Sequence, residues 1–411
     1  MLQVAMISTG EEILHGDVVD TNAAWLSQQF YQHGFKLSNR STVGDSIEAL
    51  VAEIQHQAKS ASVVIVNGGL GPTSDDISSE AAAKVLNSPL VMSQYWLDRM
   101  QAQYLNQGKE MPHSNIKQAM LPEGAQLIDN PVGTACGFFI EINKSIVIFT
   151  PGVPSEFKVM VEHQILPRMK QWHPMVEASE CSRLFTFGLS ESGIQDTLQQ
   201  LRLPHGFEIG YRSSLPFIEV KLFGPAKHDG RFPILERMYH LLGDNVVSVD
   251  EPMLPNVGEL LNEFSLNLTV AEQATGGWLT NWLQEDEQIR ANMKQGWILS
   301  SQVDQQMAGQ DPLAAALALA AATRERTQTA IGLSSGPMIQ GKVAVALSTP
   351  YGEWGQLVSL KRNYSYNEMR SILSTLMLDM LRRCLEKKPM FGHYQSINRE
   401  SEIYVPQSAL Q

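Results

Sequence analysis

Residues 62–80 read SVVIVNGGLGPTSDDISSE. The run Ser62–Val66 is short, apolar and β-branched, which predicts a buried strand. A helix is expected over Ser79–Leu86, with Ser78 as its cap and Ser79 and Glu80 in its first turn. Between them lies a loop with three glycines, a proline, a threonine and two adjacent aspartates. Working outward, Leu2–Ser8 and Ser145–Thr150 repeat the strand pattern, and Thr21–His33 and Ile47–Ala58 carry helix-period apolar residues. Strand then helix, repeated, predicts a parallel sheet covered on both faces. Ligands of such sheets bind at the carboxyl ends of the strands. Three motif-like segments follow the three proposed strands: TGEEILHGDVVDTN, GGLGPTSDD and PGVPSEF.

The loop poses a chemical conflict. Glycines let backbone amides approach an anion, and consecutive amides form a concave nest beside the positive end of a helix. Gly68, Gly69, Gly71 and Thr73 are therefore candidate phosphate contacts, although GG and GP also suit a plain tight turn. Asp75 and Asp76 would repel phosphate unless a cation sits between, and hard divalent ions take carboxylate and phosphate oxygens. These two are the expected metal ligands, with a role in starting the helix as the competing reading. Asp45 in TVGDS and Glu156 in PGVPSEF are further candidate catalytic carboxylates; the competing readings are Asp45 as the cap of the helix from Ile47, and Glu156 in a helix first turn capped by Ser155. Asp20 or Thr21 reads as a cap. His15, Arg212 and Lys158 could touch phosphate, or serve the surface only.

The composition is ordinary for a globular chain, 43% hydrophobic and 18% charged. A net charge of −12 argues against a broad nucleic-acid surface. Three scattered cysteines fit a reduced, cytoplasmic setting. The opening MLQVAMISTGEEIL lacks a basic or apolar leader region, so no signal peptide is expected, and no run is long enough to span a bilayer.

Residues 1–170 thus read as a three-layer α/β domain. SRLFTFG, FEIGYRSS and IEVKLFG predict strands of a small α+β domain over 171–250, with helices near Glu191–Leu201 and Pro233–Leu242. DEPMLPN, Asp250–Asn256, reads as a linker. From Val257 to about 395 a second α/β domain is expected, with strands in LNLTVAE, QGWILSS, AIGLSS and KVAVALST and a helix over Tyr366–Leu385. Trp278 and Trp282, four apart, are expected to pack.

The segments TGEEILHGDVVDTN, VGD, NGGLGPTSDD, NPVGTACGF and PGVPSEF, in this order, resemble the signature of the CinA (competence/damage-inducible) family. The resemblance implies a molybdopterin-binding-like first domain, a KH-like middle domain and a nicotinamide-mononucleotide deamidase-like last domain. It implies metal-dependent hydrolysis of ADP-ribose to AMP and ribose 5-phosphate, with Mg²⁺, Co²⁺ or Mn²⁺ and help from potassium. Acidic residues serve adenylyl transfer in the molybdopterin relatives at the positions of Asp45 and Asp76. The middle segment lacks the GXXG loop an RNA-binding KH module needs. A homodimer binding a small nucleotide, with neither nucleic acid nor membrane as partner, is expected. The alternatives are molybdopterin binding or adenylylation, and a non-catalytic nucleotide-binding scaffold.

The last domain departs from its family's pattern. In TVAEQATGGWL, Gln273 stands where the resemblance places the serine nucleophile, and Ala274 where it places a cysteine. Ser300 replaces the assisting tyrosine and Gln305 the assisting lysine. An amide is neither nucleophile nor general base, so deamidase activity is expected to be absent.

Overall fold

The computed structural model describes residues 2–300 and 311–409. Valine and isoleucine dominate β3 (Val63–Asn67), β1 (Val4–Thr9) opens with four apolar residues, and every residue of both is buried. Side chains of a strand alternate between its faces. Ala5, Ile7, Val64 and Val66 enter one core with the helices Ile47–Gln57, Ser78–Leu86 and Gln94–Asn106. Val4, Met6, Val63 and Ile65 enter the other, with the helices Thr21–Gln32 and Pro154–Met160. The result is the expected three-layer α/β arrangement.

The first sheet also contains β2 (Leu37–Val43), β6 (Gln126–Ile128), β7 (Gly137–Ile142) and β8 (Ser145–Thr150), in the order β2-β1-β3-β8-β7-β6. The first four strands in that order are parallel; β7 and β6 add antiparallel edges. A two-stranded excursion, β4 (Leu90–Met92) and β5 (Met120–Pro122), flanks the helix Gln94–Asn106. Burial pushes the Cys136 thiol in this core up to about 12.

By contacts the chain divides into two compact units, 1–180 with 225–227, and the remainder. Four strands, β9 (Ser179–Phe187), β10 (Glu208–Ser214), β11 (Phe217–Pro225) and β12 (Val246–Val249), form a sheet of order β10-β11-β9-β12, of which all but Ser179, Glu180 and Pro225 fall in the second unit. A six-stranded sheet follows: β13 (Leu268–Glu272), β14 (Met293–Ile298), β15 (Ile331–Ser335), β16 (Lys342–Thr349), β17 (Gly352–Leu360) and β18 (Ile397–Pro406). Its order is β14-β13-β15-β16-β17-β18. The helix Tyr366–Leu385 covers one face and the alanine-rich helix Pro312–Thr327 the other. Small side chains bring that second helix so close that a Cβ on Gly332 would run into the Ala320 carbonyl.

The stretch expected to be a linker is partly helical. A helix runs Met253–Glu263, and Pro255 sits in its first turn, where a missing amide hydrogen costs nothing. No helix among the described residues is long and apolar enough to cross a membrane.

Candidate functional site

Backbone geometry makes the glycine loop. Gly68 (φ +110°) and Gly69 (φ +68°) occupy left-handed backbone that disfavours side chains. A Cβ on Gly68 would lie 2.6 Å from Thr9 Oγ1. Gly68 N donates to Thr150 O at 2.9 Å, which ties the loop to β8. Ser78 does not cap the following helix, as the sequence suggested; Ile77 occupies the cap position. The Ser78 hydroxyl, fully buried, donates instead to Gly68 O at 2.7 Å, and Ser78 N donates to Gly69 O at 3.0 Å. The amides of Gly69, Leu70 and Gly71 donate to no acceptor among the described residues.

The turn forms one wall of a cleft of about 480 Å³ at the carboxyl ends of β1, β3 and β8. Gly68, Gly69, Gly71, Asp76 and Glu156 line it, with Glu12 and Asp20. Thr73, Asp75 and Asp45 are not among its lining residues. Among the described residues, the cleft therefore presents four carboxylates and no basic side chain. Apolar Ile13, Val18, Val19 and Val153 form other parts of its wall.

Each carboxylate has a traceable setting. Asp76 Oδ2 accepts from Thr73 N at 2.8 Å and Thr73 Oγ1 at 2.6 Å, closing the loop on itself. Asp75 accepts from Ser74 Oγ at 3.0 Å. Asp20 caps the helix Thr21–Gln32 through Ala23 N at 2.9 Å and accepts from Ser8 Oγ at 2.6 Å. Asp45 lies opposite Glu11: its amide donates to Glu11 Oε1 at 3.2 Å, and its carboxylate accepts from Glu11 N at 3.5 Å. Burial, then the charges of Glu12, Glu11 and Asp75, raise the Asp45 carboxyl above its ordinary value, against the lowering effect of the Glu11 amide.

Three asparagines that sequence reasoning left without a role build the rest. Asn67, the last residue of β3, donates through Nδ2 to Pro151 O at 2.7 Å and Thr150 Oγ1 at 3.2 Å. Asn22 Nδ2 donates to Asn67 Oδ1 at 3.0 Å and Gly152 O at 2.8 Å. Asn22 is 5% exposed, and its Oδ1 is buried without a hydrogen-bond partner. Asn130 donates to Ala135 O and to Glu156 Oε2, both at 2.7 Å, and its Oδ1 accepts from Val132 N and Gly133 N at 3.1 Å. All four of its hydrogen-bonding positions are filled, so it locks Glu156 to the NPVGTACGF loop. The only sequence signal for these residues is their place inside the motifs.

The other candidates have local partners. His15 is 3.5 Å from Glu11, Arg212 pairs with Glu219 at 3.4 Å, and Lys158 lies over the Trp25 ring at 5.7 Å. Trp278 packs against Arg370 and Trp282 against Phe217.

In the C-terminal sheet, Glu272 is fully buried and accepts from Leu279 N, Thr280 N and Thr280 Oγ1 at 3.1, 2.7 and 2.6 Å. It is the electrostatic cap of the helix Trp278–Leu283. Gln273 Nε2 donates to Ser300 O at 3.4 Å, so two of the four substituted positions meet; Gln305 lies outside the described residues. Thr275 Oγ1 and Ser335 Oγ are 2.9 Å apart.

Residues 5–171 match the domain described as "Probable molybdopterin binding domain". The chain is 47% identical over 284 residues to "CinA-like protein" of Escherichia coli (strain SMS-3-5 / SECEC), covering 68% of this chain and 70% of that one. It has the same identity and coverage with "NMN amidohydrolase-like protein YfaY" of Escherichia coli (strain K12). A solved structure described as the crystal structure of the protein CinA with unknown function from Thermoplasma acidophilum is 30% identical. It covers 39% of this chain and 94% of that one, with a TM-score of 0.37.

These findings correct the expected enzyme class. The name of the K12 relative points to an amidohydrolase and not to a hydrolase of a pyrophosphate bond, and the expected absence of deamidase activity is not supported. With its match across residues 5–171 and its likeness to curated relatives over most of its length, the chain belongs to the family of CinA-like proteins and carries a molybdopterin-binding-like domain.

Proposed function

We propose that the N-terminal cleft binds a phosphorylated heterocycle of the molybdopterin class. The observation that carries this reading is the set of amides at Gly69, Leu70 and Gly71 on the cleft wall, without acceptors among the described residues. Consecutive free amides suit phosphate oxygens. The unpartnered Asn22 Oδ1 supports a ring bearing N–H groups, since buried acceptors are rarely left unmatched. The likeness of residues 5–171 to molybdopterin-binding domains supports the class.

The carboxylate lining bears on a cation. Among the described residues, no three His, Cys, Asp or Glu side chains converge to hold a metal ion. The oxygen donors fit a divalent ion only if phosphate and water complete its shell. A divalent cation arriving with the phosphate would offset the negative charge of the cleft, with Asp76 and Glu156 as protein-side donors.

Titration of molybdopterin into the full chain tests this. Saturable binding is expected, weakened at least about tenfold in Gly69→Ala, where a side chain on left-handed backbone strains the turn. Chelation of divalent ions is expected to weaken binding as well. A folded Gly69→Ala that binds like the parent sinks the reading.

A second reading, amide hydrolysis in the C-terminal sheet, is favoured by the name of the K12 relative and by the Thr275–Ser335 hydroxyl pair beside the Gln273 turn. Gln273 cannot attack, so the step would fall to a hydroxyl or to water. Ammonia release from nicotinamide mononucleotide by the purified chain supports this reading, and its absence removes it.

A further inference from the structure

A second cavity, of about 620 Å³, lies within the second unit. It sits at the end of the C-terminal sheet where β13 and β15 begin and β16 turns into β17. That is the opposite end from the Gln273–Gly277 turn, which follows the last residue of β13. Its lining reverses the charge pattern of the N-terminal cleft. Arg383, Lys387 and Lys388 line it, and no aspartate or glutamate among the described residues does. In a chain of net charge −12, such a grouping is not what average composition supplies.

Three aromatic rings complete the wall. Phe264 is 45% exposed and Tyr351 76% exposed. Trp354 is stacked on Tyr404, with ring centroids 5.0 Å apart and an interplanar angle of 23°. A flat apolar surface, with Trp354 held by its stacking on Tyr404, thus lies beside the basic edge, and pockets of this size are typical of small-molecule sites.

The three cations differ in freedom. Arg383 is fixed: Nε donates to Asp379 at 2.7 Å, and its other nitrogens donate to Pro389 O and Asp244 O, each at 3.0 Å. Lys388 Nζ lies 2.7 Å from Glu386 and donates to Tyr239 OH at 3.2 Å. Lys387 is exposed, and no ion pair among the described residues engages it. The helix Tyr366–Leu385 ends here, and its carbonyls at Arg382, Cys384 and Arg383 accept from the amides of Glu386, Lys387 and Lys388. The negative end of the helix is therefore capped by backbone, which leaves the Lys387 ammonium available.

We propose that this cavity binds a small aromatic anion, its ring against Tyr351 and Trp354 and its acidic group on Lys387. Charge complementarity selects the class: a neutral ring gains the contact with the wall but not the ammonium, and a small ringless anion meets a single exposed lysine.

The test uses anilinonaphthalene sulfonate on the full chain, read by its fluorescence, with uncharged N-phenylnaphthylamine as the control. Saturable binding of the sulfonate is expected, and the neutral probe should bind at least about tenfold more weakly. Lys387→Glu should lose about tenfold in affinity, whereas Lys387→Arg should retain it. Trp354→Phe should bind and Trp354→Ala should bind less well. Because Lys387 is exposed, its variants should melt like the parent. Equal affinity for the two probes, or unchanged binding in Lys387→Glu, overturns the proposal.

Discussion

The carboxylate of Asp76 faces two demands at once, since it lines the cleft yet accepts both polar hydrogens of Thr73. Its neighbour Asp75 accepts from the adjacent Ser74. Identical side chains, one position apart, thus hold different stations, because the turn sends them in different directions. Asp45 offers a test at this scale. Its carboxyl is raised by burial and then by the nearby acids, so folding favours the protonated form. Its charge therefore opposes folding at neutral pH, and that opposition fades as pH falls through its folded value. Asp45→Asn should melt at or above the parent temperature at neutral pH, and the advantage should vanish at acid pH. A lower melting temperature for the variant at neutral pH would contradict the assignment.

At the scale of elements, periodicity revealed the buried strands and their helices. The expected strand over Ser62–Val66 is β3, and that over Ser145–Thr150 is β8, within a residue at each end. β2, LSNRSTV, carries no such signal, because it is a polar edge strand paired on one side only. The helix at Met253 was hidden by its prolines, which read as loop signals until the first turn shows that they fit there. Gly332 shows an element contact that no local pattern announces. Gly332→Val should destabilise the fold by about 1–3 kcal/mol through collision with the backbone of the alanine-rich helix. Urea unfolding measures this, and a variant as stable as the parent would mean that the helix can retreat.

At the scale of the molecule, the second unit is held by a buried ionic network rather than by apolar packing alone. Asp379 accepts from Arg382, Arg383 and Tyr394, while both arginines also donate to the carbonyl of Asp244, from the turn before β12. Burial, then the charge of Asp379, pushes the Tyr394 phenol above its ordinary value, so it remains a donor. Asp379→Ala would remove the carboxylate that two buried guanidinium groups share and should cost about 3–5 kcal/mol. A marked fall in the urea midpoint is the expected result; a loss under about 1 kcal/mol would show that Glu386 and the carbonyls suffice.

By itself the sequence determined the layered α/β architecture, the family, and the glycine turn as the place to look. Those depend on local pattern: alternation within a strand, period within a helix, and motif order along the chain. Only the tertiary structure decided which acids face the cleft, that Asn22, Asn67 and Asn130 build its walls, and that basic residues meet aromatic rings at the far end of the last sheet. Such neighbours lie far apart in sequence, 130 residues in the case of Asn22 and Gly152. Their meeting depends on sheet order and register, which no short stretch of chain encodes.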